Sequence, residues 1–557
     1  MILIEEKRTS KVPGSTSLFI SFNYNKDIVE AIKTLPCYNY SKRTKVWEVP
    51  IKYMADIIDK LCVIDDITLE FCELEEKKDR KYVLSEYKTK PFPYQEDGIQ
   101  FGLNHDKWML LDVPGLGKTL QLIYLAQELK DKRNLKHCLV LCGINSLKTN
   151  WKKEIQKHSD LSCRILGEYT TKRGKIKYGG LAERVEQLEN TIDEFFVITN
   201  IETIRDDRIV KLILNGKNEF DMIVLDEAHV CKNSTSTQGS NLLKLTNATY
   251  RIPATGTLVL NNPLDTFVLL KWIDADRSTK THFESYYCVK GGPFGNELVG
   301  FKNLDTLKEQ IEQNSLRRKK DLLDLPPKTV IEEYVDMNDA HRKFYDDIKD
   351  GIVDEVDKVT LNPEAILGMV LRLRQATACP SILSTSDISS SKMDRCCELC
   401  EQLIEDGNKV VVFSTFKQTV LELEQRLRKF KPLVGTGDTP DEILSERIDA
   451  FQTNDTNMVF IGTWQRCGTG LTMNKASYMI FMDTPWTDGA FQQACDRIHR
   501  IGSKNPVFIY NLICSDTVDE KVLEIIQDKA ALSEFIVDDE ISQKSLASLQ
   551  KYIEELK

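Results

Sequence analysis

The chain has 557 residues, too many for one hydrophobic core and enough for about three domains. With 41% hydrophobic and 29% charged residues it has the composition of a globular protein rather than a fibrous or low-complexity one. A net charge of −10 excludes a general basic coat, so any nucleic-acid binding has to come from local patches. Apolar runs such as 222–225 and 410–413 are strand-length, far short of a membrane span. The N-terminus has no signal-peptide layout, and the expected location is intracellular, in a bacterial cytoplasm or a viral host's cytosol. Of the fifteen cysteines most sit singly in apolar stretches, where cysteine packs as a small hydrophobe. The one CxxC, Cys397 to Cys400, has no second pair or spaced histidines, so no structural zinc is expected.

Residues 1–85 read as a small α+β module. Segment 18–22 is strand-like, and 27–35 and 53–61 have amphipathic helical spacing. Between them Tyr38, Tyr40 and Trp47 are interleaved with Lys42, Arg43 and Lys45. That is the composition of a stacking-and-phosphate surface, though a hairpin whose aromatics fill the module's core explains it more simply. A charged linker is expected over 73–80.

From about 86 strands alternate with helices, which implies a parallel sheet with crossover helices. A helix is expected over 97–103. The apolar run Trp108-Met-Leu-Leu111 then enters Asp112-Val-Pro-Gly115-Leu-Gly117-Lys118-Thr119, and an apolar stretch with helical spacing follows. Strand, glycine-bearing turn and Lys-Thr make a phosphate-cradling loop, in which Lys118 would reach the β/γ-phosphates and Thr119 would ligate Mg²⁺. Asp112 stands where GxxxxGK[ST] has its first glycine, and alone the stretch equally fits an ordinary strand–turn–helix. Further strands fall at 139–142 and 195–200. Strand 220–225 delivers Asp226-Glu-Ala-His229 to its C-terminal edge, where open α/β sheets bind ligands. Asp226 would share the Mg²⁺ and Glu227 would orient and deprotonate the attacking water.

A second α/β block follows, with strands at 409–414, 458–463, 478–483 and 507–512. Between them lie Gly468-Thr-Gly470-Leu-Thr472 and Gln493-Ala-Cys-Asp-Arg497-Ile-His-Arg500-Ile-Gly502. On a helix Arg497 and Arg500 would share a face and aim two guanidinium forks at a phosphoryl group. The tail from 515 carries 11 acidic residues against 5 Lys, with a helix expected over 542–556. It suits a protein partner or an electrostatic gate better than DNA.

Together these residues resemble the Swi/Snf-type ATPases of the second helicase superfamily, collinearly from about Pro91 to Lys521. Tyr94-Gln95 resembles the adenine-reading glutamine motif, Asp112–Thr119 motif I, Asn150-Trp151 the end of motif Ia and Asp226–His229 motif II. Thr255-Gly-Thr257 with Asn261-Asn262 is similar to motif III, and Leu316-Arg317-Arg318-Lys-Lys to the lobe-connecting signature. Gly468 and Gly470 resemble motif V, and Gln493 to Gly502 motif VI. Val113-Pro114, Leu258, Thr469 and Ser503 depart from the pattern without removing a catalytic side chain.

The resemblance implies two tandem RecA-like parallel-sheet lobes. Residues 86–328 would form lobe 1, with a helical insertion near 276–320, and 329–557 lobe 2 with its acidic tail. ATP and Mg²⁺ would be bound by Gln95, Gly115, Gly117, Lys118, Thr119, Asp226, Gly468 and Gly470. Lys118, Asp226, Glu227, Arg497 and Arg500 would be catalytic, and His229, Thr255, Thr257 and Gln493 would couple hydrolysis to motion. Segment 15–61 resembles a HARP domain, the module of annealing helicases, which makes Lys42, Arg43 and Lys45 candidate DNA contacts beside Lys172 and Arg173; Arg317 to Lys320 are a further basic patch. The implied activity is DNA-stimulated ATP hydrolysis driving translocation on double-stranded or forked DNA, with fork regression or strand annealing as outcome. The alternatives are a strand-separating DNA or RNA helicase and a nucleotide-switched scaffold.

Overall fold

The computed structural model describes residues 2–7, 17–70, 79–143, 147–171, 176–256, 263–291, 297–319, 322–323, 325–356, 363–385, 388–468, 471–500, 502–532 and 543–556. Its contacts divide the chain into two units, one of residues 1–113 and 117–319, the other of residues 114–116 and 320–557. The first therefore includes the N-terminal module and ends nine residues before the boundary expected at 328.

In the first unit a seven-stranded, wholly parallel sheet runs in the order Ser315–Leu316, Met109–Leu110, Tyr250–Ala254, Phe220–Asp226, His137–Cys142, Phe196–Asn200, Cys163–Ile165. The central stretches 138–142, 196–198 and 222–225 read as unbroken apolar runs because both faces are covered. Along His137–Cys142 the side chains alternate between two cores. Cys138, Val140 and Cys142 pack with the loop helix Lys118–Arg133, and Leu139 and Leu141 enter the opposite core.

The N-terminal module is a five-stranded sheet with helices Lys26–Lys33 and Met54–Leu61. The sequence reading missed two of its strands, Ile2–Lys7 and Ile67–Glu70. They pair with each other in parallel across the length of the module, a long-range pairing that leaves no local signal. The module continues the apolar core of the larger sheet, and Tyr53 meets Tyr286 edge-on at 6.0 Å between centroids. The linker expected over 73–80 lies mostly outside the described residues. Residues 263–313 contain three helices and the hairpin Cys288–Gly291 with Glu297–Phe301.

The second unit has a six-stranded, wholly parallel sheet ordered Lys328–Val335, Val507–Cys514, Tyr478–Phe481, Val410–Ser414, Val459–Thr463, Leu433–Gly435. A separate helical core joins Asp339–Val356, Pro363–Ala378 and Val518–Leu532 to the tail helix Gln543–Glu555, which buries Leu549 and Ile553 there. The tail's apolar face is therefore occupied within the chain. Among the described residues no helix is long and apolar enough to cross a membrane.

Candidate nucleotide site

The first unit gathers the side chains expected to bind nucleotide at the C-terminal edge of the sheet. The helix expected over 97–103 begins earlier, at Pro93, and runs to Asn104, so Tyr94 and Gln95 lie in its first turn. Proline suits this start, since its missing N–H would have no helical partner. Gln95 Oε1 accepts the Phe92 N–H at 2.9 Å, and its amide lies against the loop. A Cβ on Gly117 would stand 2.5 Å from Gln95 Nε2, and Gly117 has φ +73°. Space and backbone both demand glycine there.

Lys118 and Thr119 open the helix Lys118–Arg133, and Gly115 adopts φ +93° in the loop before it. Lys118 Nζ donates to the Asp112 carbonyl at 2.8 Å. Asp112, the residue that breaks the P-loop pattern, is fully buried, and its carboxylate takes Arg318 Nε at 2.9 Å and Gln121 Nε2 at 3.0 Å. The Arg317 to Lys320 patch is corrected accordingly: Arg318 is spent on this ion pair, while Arg317 and Lys319 are exposed and Lys320 lies outside the described residues.

Strand Phe220–Asp226 ends in the carboxylate pair. Asp226 Oδ2 accepts the Trp151 indole N–H at 2.8 Å, and Oδ1 accepts the Glu227 backbone N–H at 3.0 Å. Both oxygens are thus pinned and the plane of the carboxylate is set. Burial, with Glu227 next in weight, pushes Asp226 up to about 6 against the pull of the Trp151 indole and Lys118. Two adjacent carboxylates at a buried edge are a site that a divalent cation would relieve, and their hard oxygens suit Mg²⁺. Glu227 sits at φ +53°, uncommon for a residue with a side chain and typical of functional turns. Its carboxylate lies 3.3 Å from His229 Nδ1, which is 3.2 Å from Thr255 Oγ1. Motif II and motif III are therefore in direct contact. Thr257 lies outside the described residues.

Sequence reading missed two residues here. The sequence pattern assigns no role to Trp151 and does not mark Gly143. Gly143 N–H donates to the Asp226 carbonyl at 2.8 Å, and a Cβ there would meet the Glu227 carbonyl oxygen at 2.8 Å. Only the spacing of Trp151 and Ile155, buried one turn apart on helix Leu147–His158, hinted at the tryptophan's inward face.

In the second unit the helix expected to carry both arginines, Asp488–Cys495, stops before them. They converge instead on one acceptor: Arg497 Nη1 donates to the Leu471 carbonyl at 3.1 Å, and Arg500 Nη1 to Thr472 Oγ1 at 2.6 Å and Leu471 O at 3.5 Å. Motif V thus positions motif VI. Gln493 offers its carbonyl to Arg497 Nε at 2.9 Å. Gly468 caps a short helix where a Cβ would meet the Trp464 carbonyl at 2.4 Å; Gly470 lies outside the described residues.

Lys42, Arg43 and Lys45 are exposed on the turn between strands Asn39–Ser41 and Val46–Pro50. Trp47 is buried, with Tyr40 at 4.7 Å and Tyr38 at 5.5 Å between centroids; the packing role fits Trp47, while Tyr40 is exposed. Lys172 and Arg173 lie outside the described residues.

Comparison with known proteins adds the lineage. An uncharacterized ATP-dependent helicase of Mycoplasma pneumoniae is 27% identical over 467 residues, covering 80% of this chain and 42% of that protein. The ISWI chromatin-remodeling complex ATPase ISW1 of Saccharomyces cerevisiae is 27% identical over 489 residues, covering 82% of this chain and 41% of that protein. The SWI/SNF-related matrix-associated actin-dependent regulator of chromatin subfamily A-like protein 1 homolog of Caenorhabditis elegans is 25% identical over 544 residues, covering 91% and 73%. The chain thus spans less than half the length of the first two. A solved Sulfolobus solfataricus SWI2/SNF2 ATPase core in complex with dsDNA aligns with 85% of this chain and 98% of its own at 25% identity and a TM-score of 0.38. Residues 391–502 match the helicase conserved C-terminal domain. Residues 94–382, more than half of the chain, match the SNF2-related domain, and the chain belongs to that family.

Proposed function

We propose that the protein is a DNA-dependent ATPase that translocates on duplex DNA and remodels branched DNA, regressing forks or annealing separated strands. The observation that carries the ATPase reading is the convergence of Lys118, Asp226, Glu227, His229 and Thr255 at one sheet edge, within a fold whose loop glycines suit phosphate. The chromatin-remodeling ATPases and the subfamily A-like homologue among its relatives support DNA as the track.

On this reading Lys118 Nζ exchanges the Asp112 carbonyl for the β- and γ-phosphate oxygens of ATP, and Gln95 contacts the adenine. Thr119 and Asp226 hold Mg²⁺, which supplies positive charge to the phosphates when bound. Glu227, held beside His229, takes the proton of the attacking water, and His229 passes the change of charge to Thr255. Arg497 and Arg500 neutralise charge developing on the transferred phosphoryl group. The exposed Lys42, Arg43 and Lys45 add sequence-independent phosphate contacts, which makes binding salt-sensitive.

The test is ATP hydrolysis with single-stranded, duplex and forked DNA, in wild type and Lys118→Ala. Stimulation greatest with forked or duplex DNA and abolished by Lys118→Ala is the expected result. DNA-dependent phosphate release surviving in Lys118→Ala would overturn the motor reading. Robust unwinding of tailed duplexes without annealing would replace it with strand separation.

A further inference from the structure

Asp112 and Arg318 are 206 residues apart, and their ion pair joins two segments that motif reading treats separately. The segment on which the chain leaves the first unit lies alongside the nucleotide-loop strand. Met109 N–H donates to Asn314 O at 2.9 Å, Leu111 N–H to Leu316 O at 2.8 Å and Val113 N–H to Arg318 O at 3.2 Å. The pairing therefore runs off the sheet edge and into the loop itself. At its end the Arg318 guanidinium binds Asp112 through a fork, Nε to Oδ1 at 2.9 Å and Nη2 to Oδ2 at 2.5 Å. The same guanidinium donates to the Tyr94 carbonyl and to Gln121 Oε1 and lies 5.4 Å from the centre of the Tyr94 ring. Gln121 Nε2 returns to Asp112 Oδ2. Gly98 makes room for this knot, since a Cβ there would meet Gln121 Oε1 at 2.1 Å and Arg318 Nη2 at 2.9 Å.

One planar cation thus ties the glutamine-motif turn, the nucleotide loop and the first turns of the loop helix to the exit segment. A glycine at position 112 would leave Arg318 with no carboxylate in a nearly buried place, and lysine at 318 could not make the fork. The Asp112 peptide is also the one that holds Lys118 Nζ. Whatever draws Lys118 away acts on the residue whose carboxylate anchors the exit segment.

We infer that the Asp112–Arg318 pair is a positioning joint that carries the state of the nucleotide loop to residues 314–319. The inference rests on the nucleotide reading above but does not follow from it, because a loop can bind phosphate without being tied to the exit strand. The joint gives a reason for Asp112 in place of the loop's first glycine.

The test is hydrogen exchange by mass spectrometry on the full chain, with and without Mg²⁺ and adenylyl imidodiphosphate, following peptides that contain 314–319. Arg318→Gln alone leaves a buried carboxylate uncompensated and is expected to destabilise the fold, so Asp112→Asn/Arg318→Gln, which removes both charges at similar shape, is measured beside it. In wild type the analogue is expected to change exchange in 314–319 by at least about fivefold, the lower end of ordinary coupling between sites. In the double variant the analogue still binds, but exchange in 314–319 no longer responds. A double variant with the full wild-type response would overturn the proposal, as would wild type that binds the analogue with no change in 314–319. Loss of analogue binding in a folded double variant would overturn it too, by placing the pair in the binding surface. Wild type that fails to bind the analogue at all would instead remove the nucleotide reading, and this joint with it.

Discussion

Replacing Trp151 by phenylalanine tests how the carboxylate of motif II is held. The indole is fully buried and donates its only N–H to Asp226 Oδ2 at 2.8 Å. Phenylalanine keeps a ring in the same space and removes the donor. Among the described residues Asp226 then keeps the Glu227 N–H at 3.0 Å on its other oxygen as its hydrogen-bond donor, and burial already disfavours its charge. A hydrogen bond to a charged group contributes about 1.5–3 kcal/mol. If that energy serves to orient the anion, the Mg²⁺ needed for half-maximal turnover at fixed ATP and saturating DNA should rise about tenfold to a hundredfold. Packing loss should be smaller, well under the roughly 3–5 kcal/mol of a Trp→Ala truncation. The assay pairs ATPase titrations in Mg²⁺ with thermal melts in its absence. An unchanged Mg²⁺ requirement beside a lowered Tm would show that Trp151 only fills space and would refute the argument.

Three further predictions follow from other parts of the molecule. Arg500→Ala should lower kcat about a thousandfold or more while analogue binding persists, and Arg497→Ala should also lower the melting temperature because the buried Arg497 guanidinium ties the Gln493 and Leu471 carbonyls together; ATPase assays beside thermal melts separate the two. Ile553→Ala in the tail helix should cost about 2–5 kcal/mol in the stability of the second unit, measured by chemical denaturation, since Ile553 is fully buried among Tyr345, Leu373 and Val522; no loss would mean the tail is not part of that core. His341 is buried, with Nε2 at 2.8 Å from the Ala376 carbonyl and Nδ1 accepting the Ser391 N–H at 3.1 Å, and burial lowers its pKa. The unfolded chain then binds the extra proton first, so stability from this group is intact above about pH 6.5 and falls as pH drops below it. Denaturation midpoints at pH 7.5 and 5.5 should show that slope, reduced in His341→Asn.

Much of the architecture is local and was therefore legible in the residues. The central strands of both parallel sheets are short continuous apolar runs, and every strand expected in the two α/β blocks formed, while edge strands with charged residues such as Lys328–Val335 carry no such signal. Where expectation and structure part, the cause is context that neighbouring residues do not hold. Strands Ile2–Lys7 and Ile67–Glu70 find each other across the whole N-terminal module. Arg497 and Arg500 sit on turns beyond the helix, where their guanidinium groups reach the Leu471 carbonyl and the Thr472 hydroxyl.

Contiguous residues alone mark the candidate chemistry: a glycine loop ending in Lys118-Thr119, the Asp226-Glu227 pair, and two arginines three apart, in an order that few folds accommodate. Each is contiguous because backbone geometry over a few residues is what its chemistry requires. Tertiary structure alone decided how those groups are held. Trp151 reaches Asp226 across 75 residues and Arg318 reaches Asp112 across 206. Gly143 and Gly98 matter only for the side chains that a Cβ would strike. Such partners are chosen by packing between elements distant in the chain, and no local pattern marks the residue that will be found at the other end.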